Sequence, residues 1–239
     1  MSGHSKWATI KHKKAKEDAK RGQVFTKLIR EITVAAKDGG GDPAGNARLR
    51  VVLEKAKAAN MPQDNITRAI KKGTGELEGV SYESANYEGY GPLGVAIIIE
   101  TLSDNKQRTV ADLRHIFSRM SGNLGESGTV SWMFEHKGVI KMDPKGLSED
   151  DLLEKMLEYD VDDVNVSDNI ASIYCDTKNL YTVKKGIESL GFKVEDASLE
   201  WVPKTTVSLS RADDEEKVYK FLESLEELDD VQHVYANLA

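Results

Sequence analysis

The side chains best suited to meeting a polyanion crowd the start of this chain. Lys6 and Trp7 are followed by Lys11, Lys13, Lys14 and Lys16. A lysine ammonium pairs with phosphate as a flexible point charge, and an indole stacks on an unpaired base. The chemistry on offer is charge neutralisation and stacking rather than bond breaking. The basic excess continues past this tail. Residues 1–75 hold 12 Lys and 5 Arg against 7 Asp and Glu, a net charge of +10. The whole chain carries −7, so the remaining 164 residues sum to −17. One end alone is fitted to an anionic partner.

Catalytic constellations are not evident. The five histidines, His4, His12, His115, His136 and His233, are scattered without metal-ligand spacing, and the single Cys175 excludes a cysteine-based zinc site. There is no Gly-x-Ser-x-Gly elbow. The triplet Gly39-Gly40-Gly41 is not followed by Gly-Lys-Ser/Thr, so the phosphate-loop signature is missing. Carboxylates cluster at 149–151 and 213–216, at expected helix N-termini, where each stabilises by about 0.3–1 kcal/mol. No enzyme activity, metal or cofactor is expected. Cys175 falls in an apolar strand and reads as a buried, inert thiol in a reducing, cytoplasmic compartment. No stretch is apolar and long enough to span a membrane.

The elements that must carry the basic residues are helical. Phe25, Leu28, Ile29, Ile32 and Ala36 repeat at helical spacing and stop at the glycine triplet. Asp42-Pro43 reads as an N-cap followed by proline at the first helical position. Leu49, Val52, Leu53, Ala56 and Ala59 form a second stripe, leaving Arg48, Arg50, Lys55 and Lys57 off it. After the turn Asn60-Met61-Pro62, Ile66, Ala69 and Ile70 form a third stripe before Lys71-Lys72-Gly73. The result is a three-helix bundle displaying Arg and Lys. Its second and third helices also pass for a helix-turn-helix, with Gln63, Asn65 and Arg68 at base edges. Asp64 sits badly against phosphate there, and packing alone accounts for the pair equally well.

Residues 76–86 read as a linker and 87–92 as a turn bearing two tyrosines. The β-branched run 95–99 reads as a central strand buried on both faces. A helix starts within 104–109 and turns Val110, Leu113, Phe117 and Met120 inward. Val130, Trp132 and Phe134 then alternate as a strand with one aromatic face. A different rhythm follows: a strand at 139–142, a helix opened by the capping box Ser148-x-x-Asp151, and strands on either side of Asp168-Asn169. A helix ending at Gly191 and a strand reaching Pro203 complete a ferredoxin-like βαββαβ unit. A strand near Val207, a helix and a last strand close the chain.

The expected fold is α+β and multidomain: an N-terminal three-helix bundle and two α/β domains, the ferredoxin-like one inserted into the other. The boundaries are 1–76 for tail and bundle, 77–136 with 205–239 for the discontinuous middle domain, and 137–204 for the insertion. From 137 to 204 there are 9 basic and 15 acidic residues. That unit repels phosphate and suits a protein partner or scaffolding. Its third strand offers only Tyr174 for base stacking, which argues against an RNA-recognition module.

An ordered set of short motifs spans the chain: Gly3-His4-Ser5-Lys6-Trp7, Lys13-Lys14, Arg21-Gly22, Gly39-Gly40-Gly41-Asp42-Pro43, Asn60-Met61-Pro62 with Asp64-Asn65-Ile66, Tyr87-Glu88-Gly89-Tyr90-Gly91-Pro92, Asp104-Asn105 with Arg108-Thr109, and Gly125 with Gly128. This set resembles the YebC/PmpR family, which includes the mitochondrial translational activator of cytochrome c oxidase. Leu93 stands where another glycine is common, and Gln107 where asparagine is common. The resemblance implies a helical N-terminal domain and two α/β domains, one inserted in the other. It implies a cytoplasmic, DNA-binding transcriptional regulator. The alternative it offers is a ribosome-associated translation factor that binds ribosomal RNA and relieves stalls, for example at proline runs. Carried onto this chain, the nucleic-acid surface falls on Lys6, Trp7, Lys11, Lys13, Lys14, Lys16, Arg21, Arg48, Arg50, Lys55, Arg68, Lys71 and Lys72. Tyr87, Tyr90 and Arg108 stand second, because a glycine-rich turn and a helix start already account for them.

Overall fold

Three helices open the described part of the chain: α1 (Arg21–Gly39), α2 (Ala47–Ala58) and α3 (Gln63–Gly73). The computed structural model describes residues 21–239. Leu28, Ile32 and Ala35 of α1 meet Leu49, Val52 and Ala56 of α2 and Ile66 and Ala69 of α3 in one buried cluster. All but Ala35 belong to the expected 3.6-period stripes; Ala35, not the expected Ala36, joins this cluster. The start of α2 differs from expectation. Asn46 is the N-cap, not Asp42, and its side-chain oxygen accepts from the Leu49 amide. The Asn46 amide group also donates to the carbonyls of Ala35 and Gly40. One side chain thus answers unpaired groups at two helix ends. Asp42 instead closes a tight turn, accepting from Ala44 N at 2.9 Å. At Gly73 an added Cβ would fall against the Thr33 carbonyl and the Ala36 methyl, so glycine permits the close approach of α3 to α1.

The chain continues as β1 (Glu83–Tyr90), β2 (Ala96–Ser103), α4 (Lys106–Arg119), β3 (Asn123–Leu124), β4 (Phe134–Met142), α5 (Glu149–Lys155), β5 (Val161–Ser167), β6 (Ile170–Cys175), α6 (Leu180–Ser189), β7 (Val194–Pro203), α7 (Ala212–Glu226) and β8 (Val231–Ala236). They build two four-stranded sheets, ordered β3-β1-β2-β8 and β5-β6-β4-β7. All pairings between these strands are antiparallel. The strands of the second sheet fall, in sequence, between β3 and β8 of the first.

In the first sheet, Ile97 and Ile99 face Leu113 and Phe117 of α4 and Phe221 and Leu222 of α7. Ala96 and Ile98 face the other way, onto Val130, Phe134 and Tyr235. The 95–99 run is therefore buried on both faces, as its continuous apolar character requires. The second sheet is the ferredoxin-like βαββαβ unit, with Ile140, Met142, Ile173, Leu152, Val183 and Ile187 in its core. The Ser148/Asp151 capping box forms. Asp168 and Asn169 have φ of 50° and 62°, the left-handed pair that a two-residue hairpin demands.

Three further expectations fail. Residues 83–90 are a strand, where the sequence reads 83–86 as the end of a linker and 87–90 as part of a turn; β1 is polar and lacks alternation, and its full-length pairing with β2 makes it a strand. Gly89 lets β3 close on it, since a Cβ there would lie 2.5 Å from the Asn123 carbonyl oxygen. Residues 131–133 form a 3-10 turn instead of a strand with an aromatic face. The expected strand at Val207 and Leu209 is reduced to a single bridge from Val207 to Leu238.

Candidate nucleic-acid interface

Helices α2 and α3 both lie on α1, and their apolar stripes are consumed there. What they turn outward is mostly positive. Together they carry seven basic residues, Arg48, Arg50, Lys55, Lys57, Arg68, Lys71 and Lys72, against two acidic ones, Glu54 and Asp64. Arg50, Lys57, Arg68, Lys71 and Lys72 are exposed, and none forms an ion pair with a described residue. Arg48 pairs with Asp38 at 2.8 Å, with both side chains about half exposed (53% and 56%). A pair so screened by water is worth about 0–1 kcal/mol and is readily exchanged for a phosphate. Lys55 is half-buried and acts on Glu31, whose carboxyl is pushed up by burial while Lys55 and Arg48 pull it down. Lys55, Lys57, Lys71 and Lys72 also lie in the last turns of their helices, where cations offset the helix dipole.

Gln63 and Arg68 are exposed on α3, and Asn65 is half-buried. With α1 as the common support, the α2–α3 pair is a bundle corner rather than two helices packed on each other. Lys6, Trp7, Lys11, Lys13, Lys14 and Lys16 lie outside the described residues. Arg21 contributes its backbone to the start of α1.

Arg108 is drawn into a different arrangement. Its guanidinium donates to Asp104 at 2.6 Å and to both oxygens of Asp230 at 3.0 Å. Asp230 also accepts from Thr109 Oγ1 at 2.7 Å, from Ser103 Oγ at 3.0 Å and from Arg30. Arg30 of α1 is buried, donates to the carbonyls of Leu102 and Asp229, and stacks over Tyr82 at 5.3 Å. Burial pushes the Asp230 carboxyl up, but the bonds from Thr109, Arg108 and Arg30 outweigh it and hold it below the usual range. This cluster ties the bundle to the first sheet.

Asp230 escapes a reading of the sequence because it follows a run of surface acids. Arg30 has a signal in its spacing from Val34. Both lie on a second buried side of α1 that a three-helix bundle alone does not require. Tyr87 and Tyr90 are half-buried. Tyr87 packs on the helix-facing core and Tyr90 on the opposite cluster, so both rings are used in packing.

Glu88, between them, is 6% exposed. It accepts from the amides of Gly128, Val130 and Ser131 at 3.0, 2.8 and 2.8 Å. Burial opposes its ionisation, yet these backbone bonds lower its pKa overall. Glu88 thereby satisfies the amides that a strand partner would take, which explains the curled turn at 131–133. Trp132 rides on that turn, 66% exposed, its indole N–H donating to the Thr129 carbonyl at 3.1 Å. Alternation with Val130 and Phe134 suggests an inward Trp132, whereas the turn points it out.

Among the described residues, no group of three or more His, Cys, Asp or Glu is arranged to hold a metal ion, and no helix is long and apolar enough to cross a membrane.

Comparison with known proteins covers both halves of this description. Residues 5–76 match the family "TACO1/YebC protein N-terminal domain", and residues 82–238 match "TACO1/YebC second and third domain". A "probable transcriptional regulatory protein" of Persephonella marina is 56% identical over 238 residues, covering 99% of this chain and 95% of that one. Another so named, from Chlorobium phaeobacteroides, is 55% identical over 239 residues, covering 100% and 95%. The crystal structure of a conserved hypothetical protein, Aq1575 from Aquifex aeolicus, superposes with a TM-score of 0.84. It shares 49% identity over 93% of this chain and 91% of its own.

Proposed function

The chain belongs to the TACO1/YebC family, and from that premise we propose that it is a non-enzymatic, nucleic-acid-binding regulator of gene expression. Its form in this reading is a cytoplasmic, DNA-binding transcriptional regulator. The observation that carries the proposal is the seven-to-two excess of basic over acidic residues on α2 and α3, five of the seven exposed and unpaired with any described residue. The names of the relatives support a regulatory role.

The mechanism is counterion release. Each lysine or arginine that settles on a phosphate frees condensed cations, so affinity falls with salt by about 0.9 log units per contact per log unit of salt on duplex DNA. Arg48 leaves Asp38 for phosphate at little cost. The units proposed at 1–76, at 77–136 with 205–239, and at 137–204 divide the work. The first holds the polymer. The acidic pair repels it, keeps the protein in one orientation, and presents a surface to a protein partner.

Sedimentation of a gentle lysate at two salt concentrations tests the choice of polymer. The DNA reading expects the protein to stay off ribosomal particles and to bind duplex in a purified system. Co-migration with ribosomal particles that salt reverses would replace DNA by ribosomal RNA and make the protein a translation factor.

A further inference from the structure

The helix-free face of the second sheet carries its own small apolar cluster of Val139, Tyr174 and Val202, separate from the core beneath α5 and α6. A cavity of about 390 Å³ opens there, floored by Tyr174, Val202 and Pro203. Three carboxylates line it, Glu135, Asp162 and Asp163, against two ammonium groups, Lys137 and Lys204. Lys137 and Asp162 answer each other at 2.9 Å, with Glu135 3.6 Å from the same ammonium, and the lining as a whole keeps one negative charge in excess. The cavity is therefore electronegative, within a unit that has 15 acidic and 9 basic residues from 137 to 204. Phosphate is repelled here and a cation attracted.

The turn bearing Trp132 adjoins this cavity. The backbone N–H of Lys204, at the cavity wall, donates to the Met133 carbonyl at 2.8 Å. Phe134, two residues after Trp132, pairs with Pro203 of the floor. The indole N–H of Trp132 is satisfied within its own turn, so the side chain has only its ring faces to offer. Glu88 clamps the turn through three amides, so little ordering is needed on contact. A guanidinium is the cation that best stacks on an indole and also forks onto carboxylates.

We propose that Trp132 and this cavity form a docking site for an extended, arginine-bearing segment of a protein partner. The cavity is at the small end of ligand pockets, suited to side chains rather than a folded domain. The proposal rests on the reading that the acidic units meet a protein, and it names where.

The test uses the full chain labelled with 5-fluorotryptophan, which gives one fluorine resonance each for Trp7, Trp132 and Trp201; Trp132→Phe assigns the middle one. A short oligo-arginine peptide and a mixed-sequence single-stranded oligonucleotide are titrated separately. The peptide is expected to shift the Trp132 resonance saturably. Trp132→Ala is expected to weaken peptide binding by about twofold to fivefold, the worth of an exposed cation–π interaction. Glu135→Gln with Asp163→Asn is expected to weaken it further, and circular dichroism checks that each variant is folded. Peptide binding that leaves Trp132 unmoved, or that these variants do not weaken, overturns this site while leaving the protein-partner reading standing. No peptide binding at low salt overturns both. A Trp132 shift with the oligonucleotide alone would make the turn a base-stacking platform instead.

Discussion

Two groups of positive charge, one at the junction of α1 with the first sheet and one on α2 and α3, differ in how they are answered. Around Asp230, Arg30 and Arg108 find carboxylate or carbonyl partners at short range, and Arg30 and Asp230 are buried. On the outer sides of α2 and α3, Arg50, Arg68, Lys71 and Lys72 stand in water without an ionic partner among the described residues. The same residue types therefore do opposite work. Satisfied charge fixes the bundle on the first sheet; charge that no described residue answers is, on the proposed function, left for a ligand that brings its own negative groups. Arg108 shows that residue type alone does not assign the role.

The sharpest way to break this contrast is Asp230→Ala. It leaves the Arg30 guanidinium buried beside a missing partner and is expected to cost about 3–5 kcal/mol. Urea denaturation should show the earliest transition moving to lower urea, and an unmoved midpoint would make the junction as dispensable as a surface pair. A second buried carboxylate gives a smaller, more local effect. Glu88→Gln loses the charge on three amide bonds and is expected to cost about 1.5–3 kcal/mol. Hydrogen exchange should accelerate at Gly128, Val130 and Ser131 with the bundle amides unchanged.

Acid separates the two regions further. The Asp230 carboxyl is held below its ordinary value, near 3.9 for an unperturbed Asp. Its contribution is therefore complete above about pH 4 and declines as pH falls through the lower folded value. Wild-type stability should drop in that acid window by more than that of Asp230→Asn. The smallest expected effect is at the surface: Asp38→Ala should change stability by no more than about 1 kcal/mol. It should also strengthen duplex binding slightly, because Arg48 is released.

Much of the scaffold could be read from residue order. The stripes of α1, α2 and α3, the doubly buried run at 95–99, the Ser148/Asp151 box and the Asp168-Asn169 hairpin each follow a local rule, and the structure obeys it. The misses arise where tertiary partners decide. β1 has no alternation of its own and becomes a strand through β2. Asp42 before proline reads as the cap, yet Asn46 takes the role because its amide also reaches α1. In the site, the exposed cations were legible because they fall off the apolar stripes. The Asp230 cluster was not, since a buried carboxylate in an acidic run looks like any other. Trp132 is easily misplaced because Val130, Trp132 and Phe134 recur at the period of two of a strand, whereas the 3-10 turn breaks that alternation and leaves Trp132 outside.

The most direct test of the central claim is the salt dependence of duplex DNA binding, measured by fluorescence anisotropy for the wild type and for a chain carrying Arg50→Gln, Arg68→Gln, Lys71→Gln and Lys72→Gln. The expected result is an unchanged melting temperature and a log K against log salt slope shallower by about 0.9 for each phosphate no longer neutralised, up to about 3–4 in all. An unchanged slope and affinity in the folded variant would contradict the account, because the unpaired charge on α2 and α3 would then hold no polymer.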